Sequence, residues 1–356
     1  MLNGMTDTSA SSTALDVLVL GGTSWLGGAV ARRALERGHS VTCLARGAAG
    51  DPPRGVEWVR ADRSTAGAYD DVADRHWDAV VEVSWQPDFV RSALASLGSG
   101  DAHWVYVSSC SVYADDATPD SDEGAALHEP HAEAGPVDVE QYGPAKVACE
   151  NAVLDAVGAE RALLARAGLI CGYGDRSDRF GYWPARLASA DDGQPVLVPP
   201  RGAACQVIDV EDLAGWLVDA AERRTAGAFN AVGDVLSVGA VLDSCVQAAG
   251  RSPRLVEVSH EWLADHEVAP WSGPESLPLW LPEPEYAGFM TRRNAAARTA
   301  GLSLRPVAET VAASLDWERE RGLDRDRRAG LTRDRETALL AEAEVSPGRD
   351  SNNATR

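Results

Sequence analysis

A glycine-rich turn between a predicted strand and a predicted helix is the feature that most constrains how this chain can fold. Asp16–Leu20 (DVLVL) is apolar almost throughout, which is typical of a buried strand, and Trp25–Glu36 has the pattern of a helix. The turn between them has the sequence GGTS, and two more glycines follow at positions 27 and 28. Because glycine tolerates backbone conformations that other residues avoid, this arrangement predicts a tight βα unit.

The same alternation continues through the first half of the chain. Further predicted strands lie at residues 40–44, 56–60, 79–83, 104–107 and 161–169, with predicted helices over 88–97 and 146–156. A last predicted strand at 228–232 rejoins the same sheet, and residues 238–322 are expected to be mostly helical. Apolar strands that alternate with helices predict an α/β fold: a Rossmann-type, doubly wound parallel sheet with a smaller, mostly helical C-terminal domain.

Charge and cysteine content argue against several classes of protein. The 356 residues include 33 basic and 54 acidic ones, and the resulting net charge of −21 repels a phosphate backbone. No apolar run is long enough to span a membrane, and the first residues do not resemble a secretion signal. The six cysteines are scattered without metal-ligand spacing. We therefore expect a cytoplasmic protein that binds no nucleic acid, membrane or metal ion.

The glycine turn is also a candidate cofactor site. Glycines let backbone N–H groups approach a pyrophosphate, whose charge the N-terminus of the following helix stabilises. Ser24 stands where a middle glycine is common in such turns. The predicted dinucleotide-binding residues of the turn are Gly21, Gly22, Thr23, Ser24, Trp25, Leu26 and Gly27.

The end of the second predicted strand indicates which dinucleotide is bound. An acid there would bind the ribose hydroxyl of NAD, whereas an arginine suits the 2′-phosphate of NADP. Arg46 lies at this position and residues 42–47 contain no acid, so we predict NADP, with NAD as the alternative. Asp62 and Arg63 follow the third strand and are placed to meet the adenine, while Ser84 follows the fourth and is a further cofactor-binding candidate.

The only lysine of the chain, Lys146, follows Tyr142 by four positions, so on a helix the two side chains share one face. A tyrosine with its ordinary pKa of about 10 is a poor acid or base at neutral pH, but a neighbouring ammonium and an oxidised nicotinamide lower that pKa. Ser109 follows a predicted strand and could polarise a substrate carbonyl. These residues predict a tyrosine acid/base; the alternative is a surface lysine without a catalytic role.

These motifs, in this order, resemble those of the extended and atypical short-chain dehydrogenases/reductases, the NAD-dependent epimerase/dehydratase family. The similar segments are GGTSWLG, VYVSSCSVY, YGPAK followed by Glu150, ARAGLICG and QVIDVEDLA. The resemblance covers about residues 16–322. It implies a Rossmann domain, a smaller substrate domain, and a catalytic triad of Ser109, Tyr142 and Lys146.

Several activities compete within that family. Sugar 4,6-dehydratases need an acidic pair just after the strand-end hydroxyl, where this chain has Cys110 and Ser111. Sugar epimerases usually carry an acid at the end of the second strand, where Arg46 stands. We therefore expect an NADP-dependent reductase or dehydrogenase that transfers a hydride between nicotinamide and a carbonyl or alcohol of a small molecule. The alternatives are a nucleotide-sugar epimerase with tightly bound NAD and a non-catalytic nucleotide-sensing or RNA-associated protein.

The domain boundaries follow from these assignments. We predict a disordered tail at 1–14, an NAD(P)-binding domain at 15–172 that 205–236 rejoins, a substrate-binding region at 173–204 and 237–322, and a charged helix with a disordered tail at 323–356. Asp178, Arg179 and Trp183 follow the sixth strand and are the candidate substrate residues, since aromatic pockets suit ring-bearing or apolar molecules. The alternative is that the tryptophans of this region only pack the domain. A homodimer is a possible assembly.

Overall fold

The structure is a computed structural model that describes residues 14–345. The predicted tails at 1–13 and 346–356 lie outside the described residues. The strands are β1 Asp16–Leu20, β2 Ser40–Ala45, β3 Glu57–Arg60, β4 Ala79–Glu82, β5 His103–Ser109, β6 Ala162–Ala167, β7 Leu169–Cys171, β8 Pro195–Val198, β9 Ala204–Cys205, β10 Val207–Asp209, β11 Gly227–Ala231, β12 Leu236–Ser237, β13 Arg254–Glu257, β14 Ala269–Pro270 and β15 Ser276–Leu277. The helices are α1 Trp25–Glu36, α2 Asp70–Ala73, α3 Pro87–Leu97, α4 Tyr142–Val157, α5 Tyr182–Ala188, α6 Val210–Arg223, α7 Val238–Ala249, α8 His260–Asp265, α9 Ala295–Thr299, α10 Val307–Arg321 and α11 Arg333–Val345.

A seven-stranded sheet in the order β11-β6-β5-β4-β1-β2-β3 is the centre of the fold. β1 pairs in parallel with β2 on one side and with β4 on the other. β2 pairs in parallel with β3, and β4 with β5. The chain thus crosses over after β3 to the far side of β1, which is the topology of a Rossmann-type sheet. This order brings the carboxyl ends of β1, β4 and β5 side by side, where such sheets bind ligands.

Burial of the central strands explains their apolar sequences. Every residue of β1 from Val17 to Leu20 is buried, and β4 is buried along its whole length. A strand that is covered on both faces is apolar at consecutive positions, whereas a strand with one exposed face alternates apolar and polar residues. The charged residue of β4, Glu82, is fully buried and therefore needs partners inside the protein.

The described chain divides into two compact units. The first comprises the residues up to Ser108 together with His131–Leu164 and Ala214–Gly227. It contains the strands β1 to β4, the helices α1 to α4 and most of α6.

The second unit comprises Ser109–Pro130, Ala165–Leu213 and the residues from Ala228 onward. Its helices alternate with short strand pairs, of which β8 with β13 joins segments far apart in sequence. Its core includes Trp183 and Trp280 together with Leu339 and Leu340 of α11. The C-terminal helix therefore packs into this unit.

Most predicted elements of the first half are confirmed. β1 and α1 have the predicted bounds, the other predicted strands of this half and the helix at 88–97 differ from theirs by a few residues at most, and β11 joins the central sheet as expected. The predicted strand at 161–169 is wrong in its length, because the chain breaks at Gly168 into β6 and β7. β7 pairs with β10, and a Cβ at Gly168 would lie 2.9 Å from a methyl group of Val232. Helix α4 starts four residues earlier than the predicted 146–156.

The prediction that residues 238–322 are mostly helical holds only in part. Helices α7, α8, α9 and α10 are separated by the short strands β13, β14 and β15 and by extended loops. Within residues 14–345, no helix is both long enough and apolar enough to cross a lipid bilayer.

Candidate active site

The glycine turn after β1 is closed tightly enough to require its glycines. Gly21 has a φ of +92°, which favours glycine, and a Cβ at Gly22 would lie 2.3 Å from Sγ of Cys43. A Cβ at Gly27 would lie 2.4 Å from the carbonyl oxygen of Gly21. Larger residues at these positions would therefore push the turn open.

Ser24 begins helix α1 as its N-cap. Its Oγ accepts a hydrogen bond from Gly27 N at 3.2 Å, and its own N–H donates to Gly21 O at 2.9 Å. A capping serine is thus what this chain has in place of the middle glycine. The first turn of a helix presents N–H groups that lack intrahelical partners, and Gly21 and Gly22 have no side chains that could cover them. The turn therefore fits a dinucleotide pyrophosphate at the N-terminus of α1.

Arg46 lies just beyond β2 and is exposed to solvent. Its Nη1 is 3.6 Å from Oδ2 of Asp62, in a pair where both side chains are well exposed. Asp62 also accepts hydrogen bonds from the backbone N–H and the hydroxyl of Ser64, which lower the pKa of its carboxyl group. An exposed guanidinium in a loose ion pair can exchange its partner for a ligand phosphate.

Arg63 has a different environment from the one that the sequence suggests. The side chain is largely buried, and it forms a two-pronged ion pair with Glu82, with Nη1 2.9 Å from Oε1. It also donates hydrogen bonds to the hydroxyl of Tyr69 and to the carbonyl oxygen of Phe89, both at 2.8 Å. The assignment of Arg63 to the adenine stays a prediction of the sequence alone, because these internal partners occupy the guanidinium.

Tyr142 is the first residue of α4 and is half-buried. Its ring lies against the indole of Trp85, with a centroid distance of 5.4 Å and an interplanar angle of 58°. Gln86, next to Trp85, fixes the approach to α4 through two hydrogen bonds with the backbone of Val137, at 3.0 and 2.8 Å. Pro144 occupies the first turn of α4, where a missing N–H costs nothing. The loop after β4 therefore positions the tyrosine.

Lys146 is one turn further along α4, and only 2% of its surface is exposed. Its Nζ donates hydrogen bonds to Val107 O at 2.6 Å and to Ser84 O at 3.2 Å. The same nitrogen lies 4.8 Å from the ring centroid of Tyr106 and 5.9 Å from that of Tyr142. The structure thus brings Tyr142, Lys146 and Ser84 together, with the ammonium bound to carbonyl oxygens from β5 and from the loop after β4.

Two opposing effects set the protonation state of Lys146. Burial lowers its pKa from 10.5 to about 8, while the nearby Cys149, Glu82 and Glu150 act to raise it. A pKa of about 8 leaves the group mostly protonated at neutral pH. The side chain therefore provides a positive charge next to the Tyr142 ring in a place where little water screens it.

The two serines at the end of β5 have different partners. Ser108 is buried and donates a hydrogen bond of 2.5 Å from its Oγ to Oε1 of Glu150. Ser109 is partly exposed, and its Oγ accepts a hydrogen bond from the backbone N–H of Ser111 at 3.1 Å, which caps a short 3₁₀ turn. The catalytic role of Ser109 beside Tyr142 stays a prediction.

The three candidate substrate residues lie in the second unit, where all three have partners within the protein. Asp178 is buried and accepts hydrogen bonds from Arg321 at 3.0 Å, from the backbone N–H of Arg328 and from a further arginine. Trp183 is fully inaccessible, and its indole N–H donates to Pro278 O at 2.8 Å. The guanidinium of Arg179 lies 5.2 Å from the ring centroid of Trp271. Packing accounts for Asp178 and Trp183, and substrate contact by any of the three stays a prediction.

Sequence reasoning missed two residues of this region, Trp85 and Glu82. Both lie at the carboxyl end of β4: the strand AVVE ends in Glu82, and the next residues, VSW, end in Trp85. An acid at the end of an otherwise buried strand is the signal that could have found Glu82, since such a charge requires a buried partner. Within residues 14–345, no group of three or more His, Cys, Asp or Glu side chains is arranged to hold a metal ion.

A Rossmann-type sheet, a glycine turn at the N-terminus of α1 and the pair Tyr142 and Lys146 define a protein of the short-chain dehydrogenase/reductase type. The chain belongs to the NAD dependent epimerase/dehydratase family, whose model matches residues 17–95 and 89–233. The chain is therefore a member of an enzyme family, and the family supports a nicotinamide dinucleotide as its cofactor. Curated protein sequences gave no match.

Several solved structures have the same fold at low sequence identity. A provisionally assigned epimerase from Burkholderia cenocepacia J2315 has a TM-score of 0.65 and 21% identity, over 87% of this chain and 99% of that one. UDP-N-acetylglucosamine 4-epimerase from Bacillus cereus has a TM-score of 0.61 and 17% identity, over 86% and 100% of the two chains. The Bordetella bronchiseptica enzyme WbmG, solved in complex with NAD and UDP, has a TM-score of 0.62 and 15% identity, over 88% and 97%.

Proposed function

We propose that this protein is an NADP(H)-dependent oxidoreductase that interconverts an alcohol and a carbonyl of a small molecule, with Tyr142 as the acid/base. The observation that carries the proposal is the buried Lys146 ammonium, 5.9 Å from the ring centroid of the half-buried Tyr142. A positive charge at this position favours the phenolate and so brings the proton of Tyr142 within reach of chemistry near neutral pH.

The residues of the chain then have defined tasks. In the oxidation direction the Tyr142 phenolate accepts the proton of the substrate hydroxyl, and in the reduction direction the phenol donates it to the carbonyl oxygen. When bound, the nicotinamide accepts or supplies the hydride. Lys146 stabilises the phenolate, and the Ser109 hydroxyl donates a hydrogen bond to the substrate oxygen. The half-buried Trp85 holds the Tyr142 ring in place.

Arg46 supports NADP as the preferred dinucleotide. Its guanidinium is exposed beyond β2 and has only a loose pair with Asp62, so it is available for a 2′-phosphate. Other members of the same fold class take NAD, which requires a hydrogen-bond acceptor for the ribose hydroxyl. The chain has no acid at residues 42–47 that would serve this purpose.

The second candidate is a nucleotide-sugar epimerase that retains its dinucleotide. The observation in its favour is that similar folds include a UDP-N-acetylglucosamine 4-epimerase and an enzyme solved with NAD and UDP. Tyr142 and Lys146 would serve both functions, because an epimerase also oxidises an alcohol and reduces the resulting ketone. The two candidates differ in whether the dinucleotide is consumed.

One experiment separates them. The nucleotide that co-purifies with the protein is released by denaturation and identified by mass spectrometry. The protein is then incubated with NADPH or NADH and a panel of carbonyl compounds, and separately with UDP-sugars. Stoichiometric oxidation of NADPH by a carbonyl compound supports the oxidoreductase, whereas interconversion of UDP-sugars with bound NAD and no net consumption supports the epimerase. Tyr142→Phe is the control in both assays, and turnover that survives in it would contradict the role of the tyrosine.

A further inference from the structure

Glu82 and Arg63 form a buried ion pair in the first unit. Glu82 is fully inaccessible at the end of β4, and Arg63 reaches both of its carboxylate oxygens. The guanidinium also lies 5.5 Å from the ring centroid of Phe89 and 5.8 Å from that of Tyr69. Burying two charges is expensive, and an apolar pair of similar volume is often at least as stable. Stability alone therefore does not explain this pair.

The carboxylate of Glu82 also holds the backbone of the next loop. Its Oε1 accepts a hydrogen bond from Ser84 N at 2.8 Å. The carbonyl oxygen of the same Ser84 accepts hydrogen bonds from Lys146 Nζ at 3.2 Å and from the Tyr106 hydroxyl at 3.1 Å. A continuous set of contacts thus runs from Arg63 through Glu82 and Ser84 to the ammonium group.

Glu82 also acts on Lys146 through its charge. It is one of three groups that favour the protonated form of this lysine against burial; the other two, Cys149 and Glu150, lie on α4 itself. The rings of Tyr106, on β5, and Tyr142, on α4, also face the nitrogen, with centroid distances of 4.8 and 5.9 Å. Glu82 is the acid among them that approaches from the opposite element, β4.

We propose that Glu82 is a positioning residue for the reaction: it orients the Ser84 backbone whose carbonyl binds Lys146, and Arg63 holds Glu82 in place. The Glu82 carboxylate also provides a negative charge that acts on the ammonium. This inference rests on the proposed function, in which Lys146 stabilises the Tyr142 phenolate. It also gives Arg63 a task at Lys146.

The test replaces Glu82 with glutamine, which keeps the shape but removes the charge. With less positive charge at Lys146, the Tyr142 phenolate loses the ammonium that lies 5.9 Å from its ring centroid. The loss of the Glu82 charge itself acts the other way, but hydrogen bonds join Glu82 to the lysine through Ser84, so we expect the effect of Lys146 to dominate and the pKa of Tyr142 to rise by about one unit. The measurement is an ultraviolet titration of the phenol with NADP⁺ present, with the corresponding Tyr142→Phe protein subtracted in each background. Turnover near neutral pH is expected to fall by about tenfold. The double variant Arg63→Met with Glu82→Leu replaces both charges by apolar groups and is expected to shift the titration in the same direction.

Glu57→Gln is the matched control. Glu57 forms a two-pronged pair with Arg75, at 2.9 and 2.8 Å, but this pair is exposed to solvent, and Glu57 lies on β3, an edge strand of the sheet. This variant should titrate like the wild type. A folded Glu82→Gln protein or folded double variant with an unchanged Tyr142 titration would overturn the inference, even if its unfolding midpoint moved. Full turnover in Tyr142→Phe would instead overturn the proposed function, so the two failures can be told apart.

Discussion

Replacing Lys146 with methionine is expected to abolish turnover while leaving the fold about as stable as the wild type, or more so, at neutral pH. Methionine has a similar length and adapts to a buried site. Burial lowers the pKa of Lys146 from 10.5 to about 8, so keeping the ammonium inside the protein costs about 3 kcal/mol near pH 7. The loss of the hydrogen bond to Val107 O offsets about 1–3 kcal/mol of that gain. Ser84 O keeps its bond to Tyr106.

The pH dependence isolates the cost of the buried charge. Between about pH 8 and pH 10.5 the unfolded chain retains a proton on Lys146 that the folded protein has already released. The unfolded state binds more protons in this pH window, so the contribution of Lys146 to stability rises with pH. This contribution is most unfavourable below about pH 8, where both states carry the proton. Between pH 7 and pH 10, the unfolding free energy of the wild type should therefore rise by about 2–3 kcal/mol relative to that of Lys146→Met.

The assay is urea unfolding of both proteins at several pH values, followed by tryptophan fluorescence. Arg319→Met removes an exposed cation on α10 and serves as the control, which should show no such shift. Parallel stability curves for the wild type and Lys146→Met would refute the burial of this ammonium. Turnover retained in the variant would refute its role in the reaction.

Three further predictions concern Arg46 after β2, the glycine turn after β1, and His103 in the central sheet. Arg46→Asp is expected to change the ratio of NADPH to NADH affinity by about tenfold to a hundredfold in favour of NADH, measured by calorimetry, and an unchanged ratio would remove the assignment to the 2′-phosphate. Gly27→Ala should weaken dinucleotide binding and cost about 1–3 kcal/mol in urea unfolding, because its Cβ would lie 2.4 Å from a carbonyl oxygen. Gly28→Ala, whose Cβ would meet nothing closer than 3.6 Å, should do neither, and equal effects of the two would contradict the account. Burial lowers the pKa of His103 from 6.5 to about 4, so the unfolded chain takes up a proton on this ring more readily than the folded protein. Above pH 6.5 the ring is neutral in both states, and as the pH falls from 6.5 towards 4 about 3 kcal/mol of stability is lost. His103→Phe should remove that loss in acid unfolding curves, and curves that match the wild type would contradict it.

The central sheet could be predicted because its strands carry a strong local pattern. Buried parallel strands are apolar at consecutive positions, and the turn after β1 places glycines where a close approach requires them. The break at Gly168 could not be predicted, because the contacts around it involve partners distant in sequence: Val232 lies against Gly168, and β7 pairs with β10. The pairing of β8 with β13 is of the same kind, since neither strand has a pattern that names its partner.

The candidate site shows the same division. The spacing of Tyr142 and Lys146 places them on one helix face, and the structure has them there. The partners of the lysine, the carbonyl oxygens of Val107 and Ser84, are backbone atoms, and no side-chain pattern could have revealed them. The position of Arg63 after a strand predicts a contact with the adenine, and this contact stays a prediction. The pair of its guanidinium with the buried Glu82 could not be predicted, because Glu82 is distant in sequence.

The turnover of Tyr142→Phe tests the central claim most directly. The variant keeps the ring that packs on Trp85 and removes only the hydroxyl that accepts and donates the proton. With the substrate found in the cofactor-consumption assay, kcat is expected to fall by about 10²- to 10⁴-fold, while the Kd for the dinucleotide stays that of the wild type. A variant that binds the dinucleotide normally and turns over at the wild-type rate would contradict the role of this tyrosine as the acid/base.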